Sequence, residues 1–475
     1  MNRKTIIAAC IPLFLMACSV GPDYQRPEIA MPKQWSETSP QTAPYPDAWW
    51  KTFNDPALDQ LIAEAVASNL SLQQASSRIR DARAQQTMAV AAALPAINAK
   101  SNLSRRSNNL SSAGGSASSG GSNTGGGFGV GSQIINIFQA GFDAQWELDV
   151  FGGIRRGIEA ADATVEAEVE DRNAILVSLL GEVARHYVQL RANQQLRVVT
   201  RENLGSQQQT LELTRVRRLA GLASELDLAQ QQALVADSRT RLPQYEVGIA
   251  QAVHAIGILL GREPSALAAR LSDEKALPMA APAFGNLPSD LLLRRPDIRR
   301  TERQLAAANA QIGVATAELF PKFNLAAFLG IQNTRITDIS PLGKSWSAAA
   351  SISAPIFNWG KLQANIDSKE AQHEALLLAY RATILDALGE VENALTAYVQ
   401  ENNRQQALLA MVDAQQLALQ LANERYRNGL TAFLDVLDSQ RGLLKAQSDL
   451  IDSRGKSAEY LIALYKALGG GWESL

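Results

Sequence analysis

The chain has 475 residues, of which 46% are apolar, and its 45 basic and 47 acidic residues nearly cancel. A chain of this length and apolar content can bury a large core, so disorder is not expected. The balanced charge offers no basic surface for nucleic acid. Both cysteines, Cys10 and Cys18, lie close to the N-terminus, so the body of the chain has no disulfide, thiolate metal site or cysteine nucleophile.

Residues 1–17 have the pattern of a secretory signal peptide. Arg3 and Lys4 precede an apolar run that is too short to cross a bilayer as a helix. The run ends in Leu15-Met16-Ala17-Cys18, and a cysteine after a small residue at this point resembles a bacterial lipobox, whose thiol is acylated. We predict lipidation of Cys18; the alternative is a signal-peptide cysteine that stays unmodified.

Residues 18–56 contain many prolines without periodicity, which predicts an extended segment rather than a helix. A helical pattern follows from Leu58 to Ala93 and stops at Pro95. The second half of the chain repeats this arrangement, with a helical pattern from Pro296 to Phe320 that stops at Pro321.

After each of these prolines the apolar period changes from that of a helix to that of a strand. Apolar residues occupy every even position from Phe138 to Val150. The alternation recurs in Phe323–Ile331 and Trp346–Ile356, and more weakly in Ile97–Leu103. This pattern fits a soluble antiparallel sheet with one wet face or a membrane β-barrel. Four strands cannot close a barrel, so a membrane barrel would be shared among chains.

The chain contains one structural unit twice. The segment that begins Gly221-Leu222 recurs at Gly429-Leu430, at an offset of 208 residues. No proline interrupts the helical patterns that lead to these glycines, so each predicts a helix about 100 Å long. Each glycine should end that helix and form a hairpin tip, with Ser224 or Thr431 opening the return helix.

These features divide the chain into segments. The first β-hairpin is 20 residues longer than the second because it carries the Ser/Gly-rich stretch 111–132, which we predict to be a mobile external loop. The predicted segments are a signal peptide at 1–17, an anchored extended segment at 18–56, a first repeat at 57–261 with its β-hairpin at 95–151, a linker at 262–288, a second repeat at 289–468 with its β-hairpin at 321–357, and a tail at 469–475.

Together these residues resemble the outer-membrane factor (TolC-like) family of efflux channels, in the lipoprotein branch typified by OprM and NodT. The motifs that carry the resemblance are Cys18–Pro27, Leu292–Ile298, Leu319–Pro321, Arg425–Gly429 and Leu434–Gln440. The resemblance implies a mainly α protein that forms a homotrimer, with a shared 12-stranded β-barrel in the outer membrane and a periplasmic α-barrel. The implied partners are outer-membrane lipid, a periplasmic adaptor and an inner-membrane pump, commonly of the resistance-nodulation-division class.

By the same resemblance, Leu434 and Asp438 narrow the periplasmic mouth, and Tyr426 and Arg441 help to hold the tips together. The hairpin tips that would contact the adaptor are Gly221, Leu222, Leu226, Gly429 and Leu430. Leu434 and Asp438 are four residues apart and therefore share a helix face. The alternative is that Leu434 belongs to an ordinary coiled-coil core and Asp438 to a solvated face.

Enzyme hypotheses find little support in the sequence. The chain has three histidines, without metal-site spacing, and no phosphate-binding loop or nucleophile motif. We therefore expect no enzyme activity and no cofactor. The competing hypotheses are a passive export channel, a lipid-anchored periplasmic coiled-coil scaffold without a pore, and a secreted helical enzyme.

Overall fold

The structure, a computed structural model, describes residues 19–36, 48–109, 132–280, 294–333 and 344–473. Cys18 and the Ser/Gly-rich residues 111–131 lie outside these ranges, so the predicted acylation and the predicted external loop rest on the sequence.

Helices dominate the described part of the chain, and four strands form one sheet. The elements in chain order are a short 3-10 helix Trp49–Phe53, α1 Pro56–Ser68, α2 Leu70–Ala91, β1 Ala96–Asn109, β2 Ser132–Leu148, α3 Gly153–Leu219, α4 Glu225–Leu259, α5 Pro296–Ala317, β3 Lys322–Asn333, β4 Lys344–Ser353, α6 Lys361–Arg427 and α7 Phe433–Ala467.

The helical pattern between Leu58 and Ala93 contains two helices, because Asn69 separates α1 from α2. The backbone of Asn69 is extended, with φ −62° and ψ 128°. Its side-chain oxygen accepts a hydrogen bond from the backbone N–H of Leu72 at 3.1 Å, and its side-chain nitrogen donates to the Leu259 carbonyl at 2.8 Å. The asparagine thus caps the start of α2 and fixes the break against α4.

The sheet is antiparallel throughout, in the order β1-β2-β3-β4, and one of its faces is apolar. Phe142 lies opposite Ala99 on one side and Leu329 on the other, and Leu329 lies opposite Trp346. The alternation predicted for the four segments is therefore in register across all the strands. Residues on the other face are mostly polar and include Asn98, Asp143, Glu147, Asn324, Ser347 and Ser351.

The chain forms two compact units. The described residues of the first unit fall within Met1–Gln25, Arg83–Ala163 and Ala306–Glu374 and include the sheet. Those of the second fall within Arg26–Ala82, Thr164–Leu305 and Ala375–Leu475 and include both hairpin tips.

In the second unit, an aromatic cluster anchors the short 3-10 helix to the C-terminal helix. The rings of Trp49 and Tyr465 stack with centroids 5.4 Å apart, and both side chains are fully buried. Gly471 has φ +105°, and a Cβ at this position would lie 2.8 Å from Leu180 and 3.1 Å from Trp49. Only glycine fits this approach, which explains how the tail packs closely on the cluster.

The two helix ends at the tips are built alike. Leu222 donates to the Arg217 carbonyl at 2.8 Å, and Leu430 donates to the Arg425 carbonyl at the same distance. The intervening glycines have φ +73° and +75°, the left-handed conformation of a Schellman cap. The structure thus repeats the local geometry at the offset of 208 residues that relates the two sequences.

The return helices begin differently. Ser224 accepts a hydrogen bond from the backbone of Asp227 at 3.1 Å, while the Asp227 carboxylate accepts from the Ser224 N–H at 2.8 Å, forming a complete capping box. In the second tip the N-cap residue is Ala432, which has no side-chain cap. The prediction that Thr431 opens this helix is wrong, because its hydroxyl donates instead to the carboxylate of Asp435.

Candidate functional site

The second tip has an apolar core of its own, built from α4, α6 and α7. Its buried members are Leu234, Ala422, Tyr426, Phe433, Val436 and Leu437. The ring of Tyr426 is 5.3 Å from that of Phe433, and Tyr426 is only 8% exposed. Tyr426, predicted to help hold the tips together, therefore belongs to this core already within one chain.

Arg217 joins the two hairpins next to this core. Its guanidinium carbon lies 4.4 Å from the centre of the Tyr426 ring, and its Nη1 donates to the Tyr426 carbonyl at 3.3 Å. Burial raises the pKa of the Tyr426 hydroxyl, and the charge of Arg217 opposes this rise. The end of α3 is thus held against the end of α6 by a cation–π contact and a charged hydrogen bond.

Leu434, Asp438 and Arg441 lie on an exposed face of α7, next to the face that packs in the tip core. Leu434 is 48% exposed in the isolated chain, whereas Val436 and Leu437 are fully buried. Arg441 Nη1 is 3.8 Å from Asp438 Oδ1, and both side chains are more than half exposed. The structure thus brings the three together on one exposed face, and Leu434 does not contribute to the core of its own chain.

The other tip residues singled out by the sequence are exposed as well. Leu222, Leu226 and Leu430 each expose about two thirds of their surface, and the two glycines occupy the turns themselves. Exposed leucines clustered at the ends of two hairpins are typical of a protein interaction surface rather than of a solvated turn.

About one helical turn from the tip core along α4 and α7, a buried polar layer links α3, α4 and α7. The side-chain nitrogen of Gln231 donates to the Gln207 carbonyl at 2.8 Å, and that of Gln440 donates to the Thr210 hydroxyl at 3.0 Å. Gln231 Nε2 is also 3.4 Å from Gln440 Oε1. Unlike apolar side chains, these groups keep hydrogen-bonding partners when water enters, so they favour an interface that can rearrange.

A cluster of charged side chains fixes the start of α5. Arg295 donates to both carboxylate oxygens of Asp297, at 3.0 and 2.6 Å, and to Glu390 and the Ala467 carbonyl, each at 2.8 Å. Burial alone would raise the pKa of Asp297, but the hydrogen bonds and charge of Arg295 outweigh it and hold that pKa below its usual value. This cluster ties α5 to α6 and α7.

A known protein family has a sequence pattern that matches most of this chain. A sequence model of the outer membrane efflux protein family matches residues 61–262 and 287–470. The chain belongs to the outer membrane efflux protein family.

Related proteins are similar to this chain over almost its whole length. The chain is 34% identical over 477 residues to the pyoverdine export outer membrane protein OpmQ of Pseudomonas aeruginosa, covering all of this chain and 98% of OpmQ. It is 35% identical to the solvent efflux pump outer membrane protein SrpC of Pseudomonas putida, covering 97% of each. The structure matches the outer-membrane channel OprN with a TM-score of 0.87 and 34% identity, over 96% of this chain and 100% of OprN.

These findings confirm the predicted family, the mainly helical TolC-like fold with four strands per chain, and the outer-membrane location of this efflux protein. In the described ranges, no helix combines the length and apolar content needed to cross a membrane. The same ranges contain no group of three or more His, Cys, Asp and Glu side chains that could hold a metal ion.

Sequence reasoning did not identify Arg217 as the residue that joins the two hairpins of this efflux protein. The repeat contains a usable signal, because Arg217 and Arg425 occupy equivalent positions at the offset of 208 residues. The sequence alone does not show that the arginine of the first repeat contacts the tyrosine of the second.

Proposed function

We propose that three copies of this efflux protein form a passive export channel. The observation that carries the proposal is the four-stranded sheet, which has one apolar face and, in the chain, two edge strands, β1 and β4. Lipid tolerates no unpaired strand edge, so β4 of one copy must pair with β1 of the next. Three copies would give a closed 12-stranded barrel whose polar face lines the lumen.

Migration on gels tests this proposal against a scaffold without a pore. We expect the detergent-extracted protein to run as a trimer without heating and as a monomer after boiling. Reconstituted into a planar bilayer, it should conduct ions. A monomer that neither shifts on heating nor conducts would favour the lipid-anchored coiled-coil scaffold.

The periplasmic mouth is proposed to close at the tips. Leu434 and Asp438 lie on an exposed face of α7, where three copies would form a leucine ring next to a ring of carboxylates. Arg441 is placed to offset the mutual repulsion of those carboxylates. Tyr426, held by Arg217, would keep the hairpins packed together while the mouth is narrow.

The exposed leucines at the tips are proposed to receive a periplasmic adaptor, which would connect the channel to an inner-membrane pump of the resistance-nodulation-division class. The surface consists of Gly221, Leu222, Leu226, Gly429 and Leu430. The sequence contains no nucleotide-binding motif, so the energy for export would come from the pump, and the channel itself would be neither an enzyme nor dependent on a cofactor.

Acylation of Cys18 is proposed to anchor the chain to the inner leaflet of the outer membrane. The next residue, Ser19, lies against the end of β2, since a Cβ at Gly152 would be 2.7 Å from its hydroxyl oxygen. Val20 also donates to the Phe151 carbonyl at 3.1 Å. These contacts hold the chain that follows Cys18 at the end of the sheet where the strands lead into the helices.

In this proposal, the pump rather than the channel selects the cargo. The relatives' names already include pyoverdine export and solvent efflux, which are chemically unlike cargoes. Small molecules of several classes, antibiotics among them, would therefore pass the same duct.

A further inference from the structure

An exposed apolar cluster follows β4 at the helix-side end of the sheet. It consists of Ile356, Phe357 and Trp359, which are 97%, 73% and 89% exposed in the isolated chain. The rings of Phe357 and Trp359 meet edge to face with centroids 4.7 Å apart. The proximity and exposure of these three large apolar side chains indicate that another surface covers them.

The backbone holds the cluster in a fixed and unusual conformation. Trp359 has φ +54°, in the left-handed region that a bulky residue rarely occupies, and Gly360 follows with φ +80°. Lys361 donates to the Asn358 carbonyl at 3.0 Å, so the turn leads directly into α6. Backbone positions of this kind cluster at functional sites.

The two repeats differ at this position. Phe357 corresponds to Phe151, at an offset of 206 residues, but Phe151 is stacked on Phe320 with centroids 4.6 Å apart. Gly152 and Gly153 follow Phe151, and the segment after Cys18 packs on Gly152. The first repeat thus carries the proposed lipid anchor at the level where the second repeat has its tryptophan.

The cluster is continuous with the apolar face of the sheet. Trp346 and Ile352 lie on that face of β4, and Ile356 follows the same alternation. β4 ends at Ser353, so the stretch from Trp346 to Ile356 spans at most ~33 Å, the length of a fully extended chain. At a strand tilt of ~40° this corresponds to ~25 Å along the membrane normal, the height of the apolar band of an outer-membrane barrel. Trp346 and the cluster therefore lie near the two ends of this band.

We propose that Ile356, Phe357 and Trp359 form a second membrane anchor, which enters the headgroup and upper acyl region of the inner-leaflet phospholipids. Tryptophan is enriched at this depth because its ring is apolar and its N–H is polar. Lys361, which is exposed two residues later, is placed to meet the lipid phosphates. This inference rests on the proposed function, since it adds a protein-encoded anchor to the proposed acylation of Cys18.

Spin labelling tests this directly, because with residues 1–17 removed Cys18 is the only cysteine. A nitroxide would be attached at Trp359→Cys in the full chain, reconstituted in phosphatidylethanolamine and phosphatidylglycerol vesicles. The accessibility of the nitroxide to oxygen and to a water-soluble nickel chelate would report its depth in the membrane. Ile352→Cys on the apolar face and Ser347→Cys on the polar face are the matched controls.

We expect the label at position 359 to lie at an interfacial depth, shallower than the label at 352, and to be far less accessible to the nickel chelate than the label at 347. Low accessibility to both reagents would mean burial against a second copy, and full accessibility to the chelate would mean solvent exposure; either result overturns the proposal. If Trp359→Cys does not assemble, Asn358→Cys, which keeps the tryptophan, gives the same readout.

Labelling of the unsubstituted protein separates the two anchors. Acylated Cys18 cannot react with the label, so uptake of label by that protein would refute the lipid anchor and leave the depth measured at Trp359 unaffected.

Discussion

Replacing Arg217 with methionine should loosen the periplasmic mouth while leaving the trimer intact. Methionine keeps an unbranched apolar stem at this position, but it removes the guanidinium that lies 4.4 Å from the Tyr426 ring centre and donates to the Tyr426 carbonyl at 3.3 Å. A cation–π contact contributes about 0.5–2 kcal/mol, and a hydrogen bond from a charged donor about 1.5 kcal/mol or more.

Because the guanidinium is only partly buried, we take about 2 kcal/mol per chain for its loss, which corresponds to a ~30-fold shift from closed to open tips. Single-channel recording in planar bilayers would show this as more time at high conductance. Susceptibility of intact cells to a large antibiotic would rise in parallel.

Arg218→Met is the matched control. Arg218 is the next residue along α3, and it pairs with Glu225 of its own hairpin rather than with the second tip. It should therefore behave as wild type in both assays. If Arg217→Met assembles normally and conducts no better than Arg218→Met, the contact between Arg217 and Tyr426 does not hold the mouth closed.

Combined Leu434→Ala and Asp438→Ala should raise conductance with assembly preserved, because neither side chain is in the tip core; loss of the trimer would instead indicate a structural role. Cys18→Ala should abolish incorporation of labelled fatty acid, and unchanged labelling would contradict the lipobox. An epitope inserted at Gly120 should be stained on intact cells, whereas staining only after permeabilisation would invert the topology. Asp297→Asn should destabilise the protein at neutral pH, but this difference should shrink as the pH falls through the lowered pKa of Asp297, where wild type loses the same interaction; a difference independent of pH would refute the ion pair.

The repeat made the larger part of this architecture predictable. A fixed offset between two halves locates both hairpin tips without any structural information, and an even-position alternation over many residues fixes the face of each strand. The left-handed glycines at the tips also follow from sequence, because no other residue adopts that conformation as easily.

What sequence could not show depends on contacts between distant segments. Asn69 lies within a regular helical pattern, and it breaks the helix because its side chain reaches both Leu72 and the Leu259 carbonyl. Thr431 is a residue type that favours the N-cap position, yet the N-cap of α7 is the next residue, Ala432. Arg217 is one of several arginines near the tip, and only the packing of the two hairpins selects it.

The missing side-chain cap on α7 makes its first turn the softer of the two. The capping box at Ser224 and Asp227 satisfies two backbone N–H groups that Ala432 leaves without a side-chain partner. A serine-to-alanine difference at an N-cap is worth about 1 kcal/mol, so the first turn of α7 should fray ~5 times more often than that of α4. Amide hydrogens there would exchange correspondingly faster. The turn that frays is the one that carries Leu434, so the turn proposed to line the mouth also costs less to unwind than its counterpart in α4.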